Sequence, residues 1–423
     1  MKSISASNIE RSDLLDKKSP KGLKVIQLTA DPDIPCAHVY MEAQIFSPDS
    51  KRFLLERSGN AHDPKKDDPE HQYLLCDLES HNELIPITDE LNAIAPSFSP
   101  DGRYIYYIVD KSKVNSGSIM VKRVCPDGSG RETLMVIDSV LPGAASLLSR
   151  IYPLSTISAD GKKLIISGFL GDGKHSNCPW CVVAIDLENT TAEIIWQDVF
   201  IRNSHPQYCR STDSKQLHDV LVQHNHGYFF DAQGRESSRE DPLGIDIHVV
   251  RDDGSGFRTM PWGRDGIEYC QGHQCWRGQS QWAITSTSTH LPSSKQCERI
   301  EARLIEGLAV DHAGHLGLNT PGAVRNDLTR EFDNPQFHHF ATNADGTILI
   351  SDYWTQDEQE LLYIADLGEP GKDPARNFTY LLNTRTAFTK QTHSHPFLSP
   401  DGQRAFFNSN ESGILQAYMI EGL

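Results

Sequence analysis

No stretch of the chain approaches the roughly 18 consecutive apolar residues that a membrane-spanning helix requires. The opening residues, "MKSISASNIERSDLLDKKSPKG", lack the apolar centre of a secretory signal. A basic excess is missing too. Against 57 acidic residues stand 40 lysines and arginines, a formal charge of −17. That balance argues against a nucleic-acid partner, because phosphates call for a basic footprint. Nine cysteines, odd in number and scattered, make no disulfide framework and fit a reducing compartment. The expectation is a cytoplasmic protein with neither a membrane nor a nucleic-acid partner. "CPWC" (Cys178 to Cys181) runs into the strand-like "VVAID", so it reads as buried thiols and not as a redox helix start. There is no GxSxG elbow. "DGSGR" and "DDGSG" precede no helix, which makes them hairpin turns and not phosphate loops. Helical periodicity is almost absent.

The 423 residues do contain enough apolar material, 38%, for a sizeable core. They also contain a repeat. "FSPDSKRFLLE" from Phe46, "FSPDGRYIYYI" from Phe98, "ISADGKKLIIS" from Ile157 and "LSPDGQRAFFN" from Leu398 match plainly, and "TNADGTILISD" from Thr342 is a fifth copy. Each joins two strand-like runs through a tight turn, which is a hairpin signature. Weaker copies stand at "RSTDSKQLHDVLV" from Arg210 and "CWRGQSQWAITS" from Cys275. Further strands follow within each unit, for example "SIMVKRVCPDGSG" and "RETLMVIDS". Spacing of this order is that of propellers and solenoids. The predicted fold is all-β, a single seven-bladed β-propeller over residues 23–423 after an N-terminal arm, 1–22. The last unit shows only three strands, and "GLKVIQLTAD" near the N-terminus can supply the fourth, closing the ring.

Aligning the units on the turn aspartate puts channel-facing positions in register. Six residues before it, or before Gln279 in the weak fifth copy, stand Ala43, Ala95, Leu154, Gln207, His273, His339 and His395. Two residues earlier, on the same face of an extended strand, stand Met41, Ala93, Tyr152, His205, Gln271, Phe337 and His393. Eighteen histidines make chance placements common, and a single channel histidine is more often structural. Five in four contiguous units point to a metal or catalytic cluster, since converging neutral imidazoles suit a divalent transition metal. "QHNHG", with His224 and His226, reads equally as a neighbour of the site or as a surface turn. The insert "DPKKDDPEH" from Asp63 reads as a solvated loop.

At these residues the chain resembles a known family. "THSHPFLSPDGQRAFFNSNESG", "FHHFATNADGTILISD", "YCQGHQCW" and "PDIPCAHVYMEAQIFSPDSKRFLL" are similar to segments of the oligogalacturonate lyases of polysaccharide lyase family 22. The similarity keeps the same order along most of the chain and thins between about 110 and 200 and between 285 and 330. It implies a cytoplasmic seven-bladed propeller that cleaves short pectic uronides by β-elimination with bound manganese. It implies His339, His393 and His395 as metal ligands and His273 as the base. The family's fourth ligand, a glutamine three residues before the HxH pair, falls at Lys390, and Gln391 follows as the substitute donor. Where the family has an arginine in the fourth blade this chain has Asp246, so Arg239 or Arg210 would have to reach in. His38, His205, Gln207 and His224 are the candidates for contact with a small anionic oligosaccharide. A different uronide on the same scaffold is a second expectation. A non-catalytic binding propeller of the TolB type is a third, and nothing in such a protein would concentrate histidines in adjacent blades.

Overall fold

The computed structural model describes residues 7–60, 64–239, 245–263, 268–288, 301–311 and 321–423. The acidic insert at Asp63 begins outside them. Short antiparallel strands dominate, and the repeated turn explains why they fold back where they do. In four copies a serine hydroxyl donates to the aspartate two residues on: Ser47 to Asp49, Ser99 to Asp101 and Ser158 to Asp160 at 2.6 Å, and Ser399 to Asp401 at 2.5 Å. The same aspartate oxygen accepts the amide two residues further along, as at Arg103 (3.0 Å) and Gln403 (3.0 Å). Gly102, Gly161 and Gly402 take the left-handed conformation that follows, at φ 70°, 74° and 71°. Ser50 bears it at φ 60° in the first copy.

The strands assemble as meanders in chain order. The first runs Cys36–His38, Arg52–Arg57, Gln72–Asp77, Glu83–Pro86, and the second Ala93–Phe98, Ile105–Asp110, Ile119–Val124, Glu132–Ile137. The third is Thr156–Ile157, Lys163–Phe169, Trp180–Asp186, Thr191–Asp198. Gln207–Tyr208, Asp219–Asn225 and Ile245–Arg251 form the next, with Arg258–Thr259 against its outer strand. A single pairing, Ile245 with Cys270, joins it to Tyr269–Trp276, Ala283–Ser288, Ala302–Gly307 and Arg325–Asp327. Phe337–Thr342, Ile348–Trp354, Glu360–Asp366 and Arg376–Asn383 follow.

The last meander, Phe397–Leu398, Arg404–Ser409 and Gln416–Glu421, is completed from the other end of the chain. Lys24–Gln27 pairs antiparallel with it from Lys24 opposite Glu421 to Gln27 opposite Tyr418. This is the pairing that the strand count of the final repeat anticipates. Ile9–Glu10 adds a further strand outside Lys24–Gln27. Leu14 is buried, and Arg11 bonds Glu411 through Nη2 at 2.8 Å, so this part of the N-terminal segment is fastened to the sheet. No helix among the described residues is long and apolar enough to cross a membrane.

Packing of sheet against sheet builds the core. Ile105–Asp110 is buried at all six positions, as expected of a strand covered on both faces. Phe53, Phe406, Tyr418 and Val25 belong to one apolar cluster that unites the two ends of the chain. Between the fifth and sixth meanders the buried Arg277 guanidinium pairs with Glu306, and its Nε donates to the Gly346 carbonyl at 3.0 Å. Of the "CPWC" thiols, Cys181 is buried and its pKa is pushed up to about 12 by burial, whereas Cys178 is only half-buried.

Closure makes a stability prediction. Val25 is fully buried, whereas its neighbour Lys24 is exposed. Val25→Asp is expected to lower unfolding free energy by about 3 kcal/mol or more, and Lys24→Asp by no more than about 0.5 kcal/mol. Urea denaturation of the two variants would measure this. Equal, small losses would show that the chain ends do not close the core.

Candidate metal centre

Inner strands of propeller type would aim every second side chain at the axis if they were regular. Here they are interrupted where the histidines stand. Register shifts fall between Cys270 and Gln274 and between Phe337 and Phe340, and His273 and His339 lie inside those bulges. A bulge turns side chains out of the alternating pattern and is common beside active sites. His393 and His395 precede the short strand Phe397–Leu398, and His395 is left-handed at φ 43°. The same-face argument for that pair therefore fails, because it presumes extended backbone. The two rings still face one neighbourhood, with centroids 6.1 Å apart.

His339 sits at the middle of the group. Its ring centroid is 4.3 Å from that of His273, 4.4 Å from His395 and 5.4 Å from His393. Nδ1 of His339 lies 2.6 Å from Oδ2 of Asp352, and Nδ1 of His393 bonds Glu360. Both carboxylates are completely buried. Burial raises the Asp352 pKa to about 6 and pushes that of Glu360 upward. His273 moves the other way, to about 4, through burial first and then the nearby His205. It is consequently a neutral imidazole.

Several of these partners carry no motif. Asp352 Oδ1 accepts the amides of His338 (3.2 Å) and His339 (2.8 Å), so one carboxylate holds both the bulge and the ring. Trp354 donates to Asp352 at 3.0 Å and stacks between His338 and His393, at 3.7 and 4.7 Å. Gln271, two residues before His273, accepts from Nδ1 of His338 at 2.9 Å. Asp352 and Glu360 lie on the second and third strands of the sixth meander, where a lone acid looks like any strand residue.

The other expected residues scatter. His205 is in the channel region: its Nδ1 lies 2.6 Å from buried Glu42, and Tyr40 bridges its ring (5.4 Å) to that of His395 (5.0 Å). Gln207 donates to the Gln274 carbonyl, and Arg210 reaches the Glu42 carbonyl at 3.3 Å. Both line a cavity beneath the Ser-Pro turns, where Arg210 stands next to Glu42, the residue whose carboxylate holds His205. Burial lowers the Arg210 pKa to about 10. Arg239 lies on strand Glu236–Arg239 of a separate two-stranded sheet, where its backbone is opposite Tyr228. Gln391 is exposed in the turn before the HxH pair. His38 is buried behind that pair, its ring nitrogens facing the carbonyls of Val39 (2.8 Å) and Ser394 (3.4 Å). His224 lies in the fourth meander against Asp198, at 3.2 Å.

Beside His205 opens a cleft of about 510 Å³. Lys66, Arg150, Arg202 and Lys390 line it, together with Tyr152. In a chain of charge −17 this is a local concentration of cations. Burial, then the Arg202 guanidinium, lowers the pKa of Arg150. These cations have no shared motif and come from separate loops.

Imidazoles with carboxylate partners are donor chemistry that a divalent ion takes. Among the described residues, however, the triad whose donor atoms already lie within 4.8 Å of one another is His224, His226 and Asp246. Imidazole nitrogens bind such ions at about 2.1 Å, so rings sharing one ion have centroids on the order of 4.5–6.5 Å apart, close to the spacings of His339, His393 and His395. Carboxylates on the far ring nitrogens fix orientation and raise ligand basicity, as second partners of metal-binding histidines do.

No family model and no curated protein matches the chain. Solved structures do. An oligogalacturonate lyase from Vibrio parahaemolyticus aligns over 96% of this chain and 95% of its own, with TM-score 0.64 and 18% identity. An oligogalacturonate lyase in complex with manganese aligns over 99% and 97%, with TM-score 0.66 and 17% identity. The chain thus shares its all-β, propeller-type fold with these two lyases over nearly its whole length, in keeping with the family resemblance carried by its histidine segments.

Proposed function

We propose that the chain is a metal-dependent lyase that cleaves short oligouronides by β-elimination, in the cytoplasm, on a seven-bladed propeller formed by residues 23–423. One observation carries this reading. Imidazoles of His273, His393 and His395 gather round His339, two of the four are backed by buried carboxylates, and Tyr40, in ring contact with His395, also lines the cleft of cations. His339, His393 and His395 would hold the ion, manganese by analogy with the lyase that contains it. When bound, a divalent ion supplies positive charge that stabilises the anion developing on a uronate carboxylate.

The remaining steps belong to the chain's own groups. Lys66, Arg150, Arg202 and Lys390 attract and orient the anionic oligosaccharide, and His205 and Tyr152 border its path. His273, neutral and half-buried, accepts the C5 proton, which is acidified by the adjacent carboxylate. The electron pair from that C–H bond forms the C4–C5 double bond as the C4–O bond breaks. The departing oxygen takes up a proton from water, leaving a 4,5-unsaturated uronide at the new end. Glu42 and Asp352 are positioning residues: they hold His205 and His339 without touching the reacting atoms. The absence of an arginine at Asp246 favours a uronide other than galacturonate as the second reading. A screen of uronide oligomers for the ultraviolet absorbance of the unsaturated product decides between them. No turnover of any uronide would overturn both.

Removal of ligand and base should differ. His393→Ala/His395→Ala is expected to lose the ion from the channel histidines while retaining the fold, checked by elemental analysis and circular dichroism. His273→Ala is expected to keep that ion and lose roughly 10²–10⁴ in rate, and added manganese should not restore it. Rescue by metal would make His273 a ligand. Asp352→Asn should weaken manganese affinity about 10–100-fold, read by equilibrium dialysis. Arg202→Glu should raise KM on the order of tenfold with kcat within about twofold; a loss confined to kcat would place Arg202 at the reacting carbon instead.

A further inference from the structure

The "QHNHG" histidines take no part in the proposed elimination, yet the structure gathers them with an acid. His224 and His226 stand two residues apart at the end of Asp219–Asn225, and Asp246 is the direct cross-strand partner of His224 on Ile245–Arg251. Cross-strand partners share a sheet face. The rings of His224 and His226 are 4.5 Å apart, and Nε2 of His226 is 2.8 Å from Oδ2 of Asp246. One donor atom from each of the three lies within 4.8 Å of the others. The Asp246 side chain is 2% exposed and the two histidines are 14% exposed. Phe200 and Trp196 pack against the rings, at 5.1 Å from His226 and 5.2 Å from His224.

We propose that His224, His226 and Asp246 form a second cation site, which takes one divalent transition-metal ion of the zinc or cobalt type. Two imidazoles and a carboxylate are a donor set such ions accept, with a position left for water. Ligand bonds of about 2.1 Å require donor atoms to lie about 3–3.5 Å apart, so small side-chain rotations close the site. The hydrogen bond between His226 and Asp246 marks where a cation would sit, and ligation through Nε2 of His226 leaves the ring hydrogen on Nδ1. Asp198, 3.2 Å from Nε2 of His224, orients that ring. Because Asp198 ends the outer strand of the third meander, the ion would brace two neighbouring sheets. The role is structural, and it is independent of the channel histidines.

Metal-depleted full-length protein, dialysed against zinc or cobalt and analysed for metal content, tests this. The His393→Ala/His395→Ala chain, which lacks two channel histidines, is expected to retain one tightly held ion and to give cobalt d–d absorption. Adding Asp246→Asn or His226→Gln should remove both signals, and zinc should raise the melting temperature of the parent but not of either variant. In the wild-type background the same substitutions should lower the metal count by one. Unchanged metal content in both Asp246→Asn and His226→Gln, or an H393A/H395A chain that binds neither zinc nor cobalt, would overturn the site. The channel reading is judged separately, by the ion that Asp246→Asn retains.

Discussion

A sheet edge exposes unpaired amides and carbonyls. Pairing of Lys24–Gln27 with Gln416–Glu421 covers the edge that the last strand of the final meander would otherwise expose, and it joins the two ends of the chain. Much else depends on it. The apolar cluster shared by Val25, Phe53, Phe406 and Tyr418 can form only when the ends are together. So can the approach of Tyr40, from the first meander, to His395 from the last.

Within that frame, buried acids hold buried imidazoles. Asp352 and Glu360 are completely buried and would carry a large desolvation cost as isolated anions. Their hydrogen bonds to His339 and His393 offset part of it, and a cation among the rings would offset more. The upward shifts at Asp352 and Glu360 express the remaining imbalance. The fourth meander repeats the device on a smaller scale, where Asp246 meets His226.

Charge is distributed in the same spirit. An acidic surface alone would repel an anion, but Lys66, Arg150, Arg202 and Lys390 line the cleft beside His205. Clefts lined by one sign of charge concentrate the field and raise the local ligand concentration. Arg150 contributes even with its pKa lowered by burial, since a guanidinium remains charged.

Local rules made part of this protein readable from residues. The Ser-x-Asp turns recur because their hydrogen bonds span two residues, and such short-range bonding leaves a mark that can be counted along a chain. The incomplete last repeat and the strand-like run at Lys24 together imply the closing pair. The histidine register points to the right neighbourhood, since His273, His339, His393 and His395 do converge. Their actual directions come from elsewhere. Bulges at His273 and His339 and the left-handed turn at His395 break the alternation on which a strand-face argument rests, and they are set by partners across the sheet. Asp352, Glu360 and the cations of the cleft belong to strands and loops distant in sequence, with no pattern to announce them. Gln207 shares the register and Arg210 follows it in the chain, yet both line another cavity, where Gln274 and Glu42 hold them. Short-range hydrogen bonds can be read in order along a chain, but which buried charge meets which ring is decided only when the sheets pack.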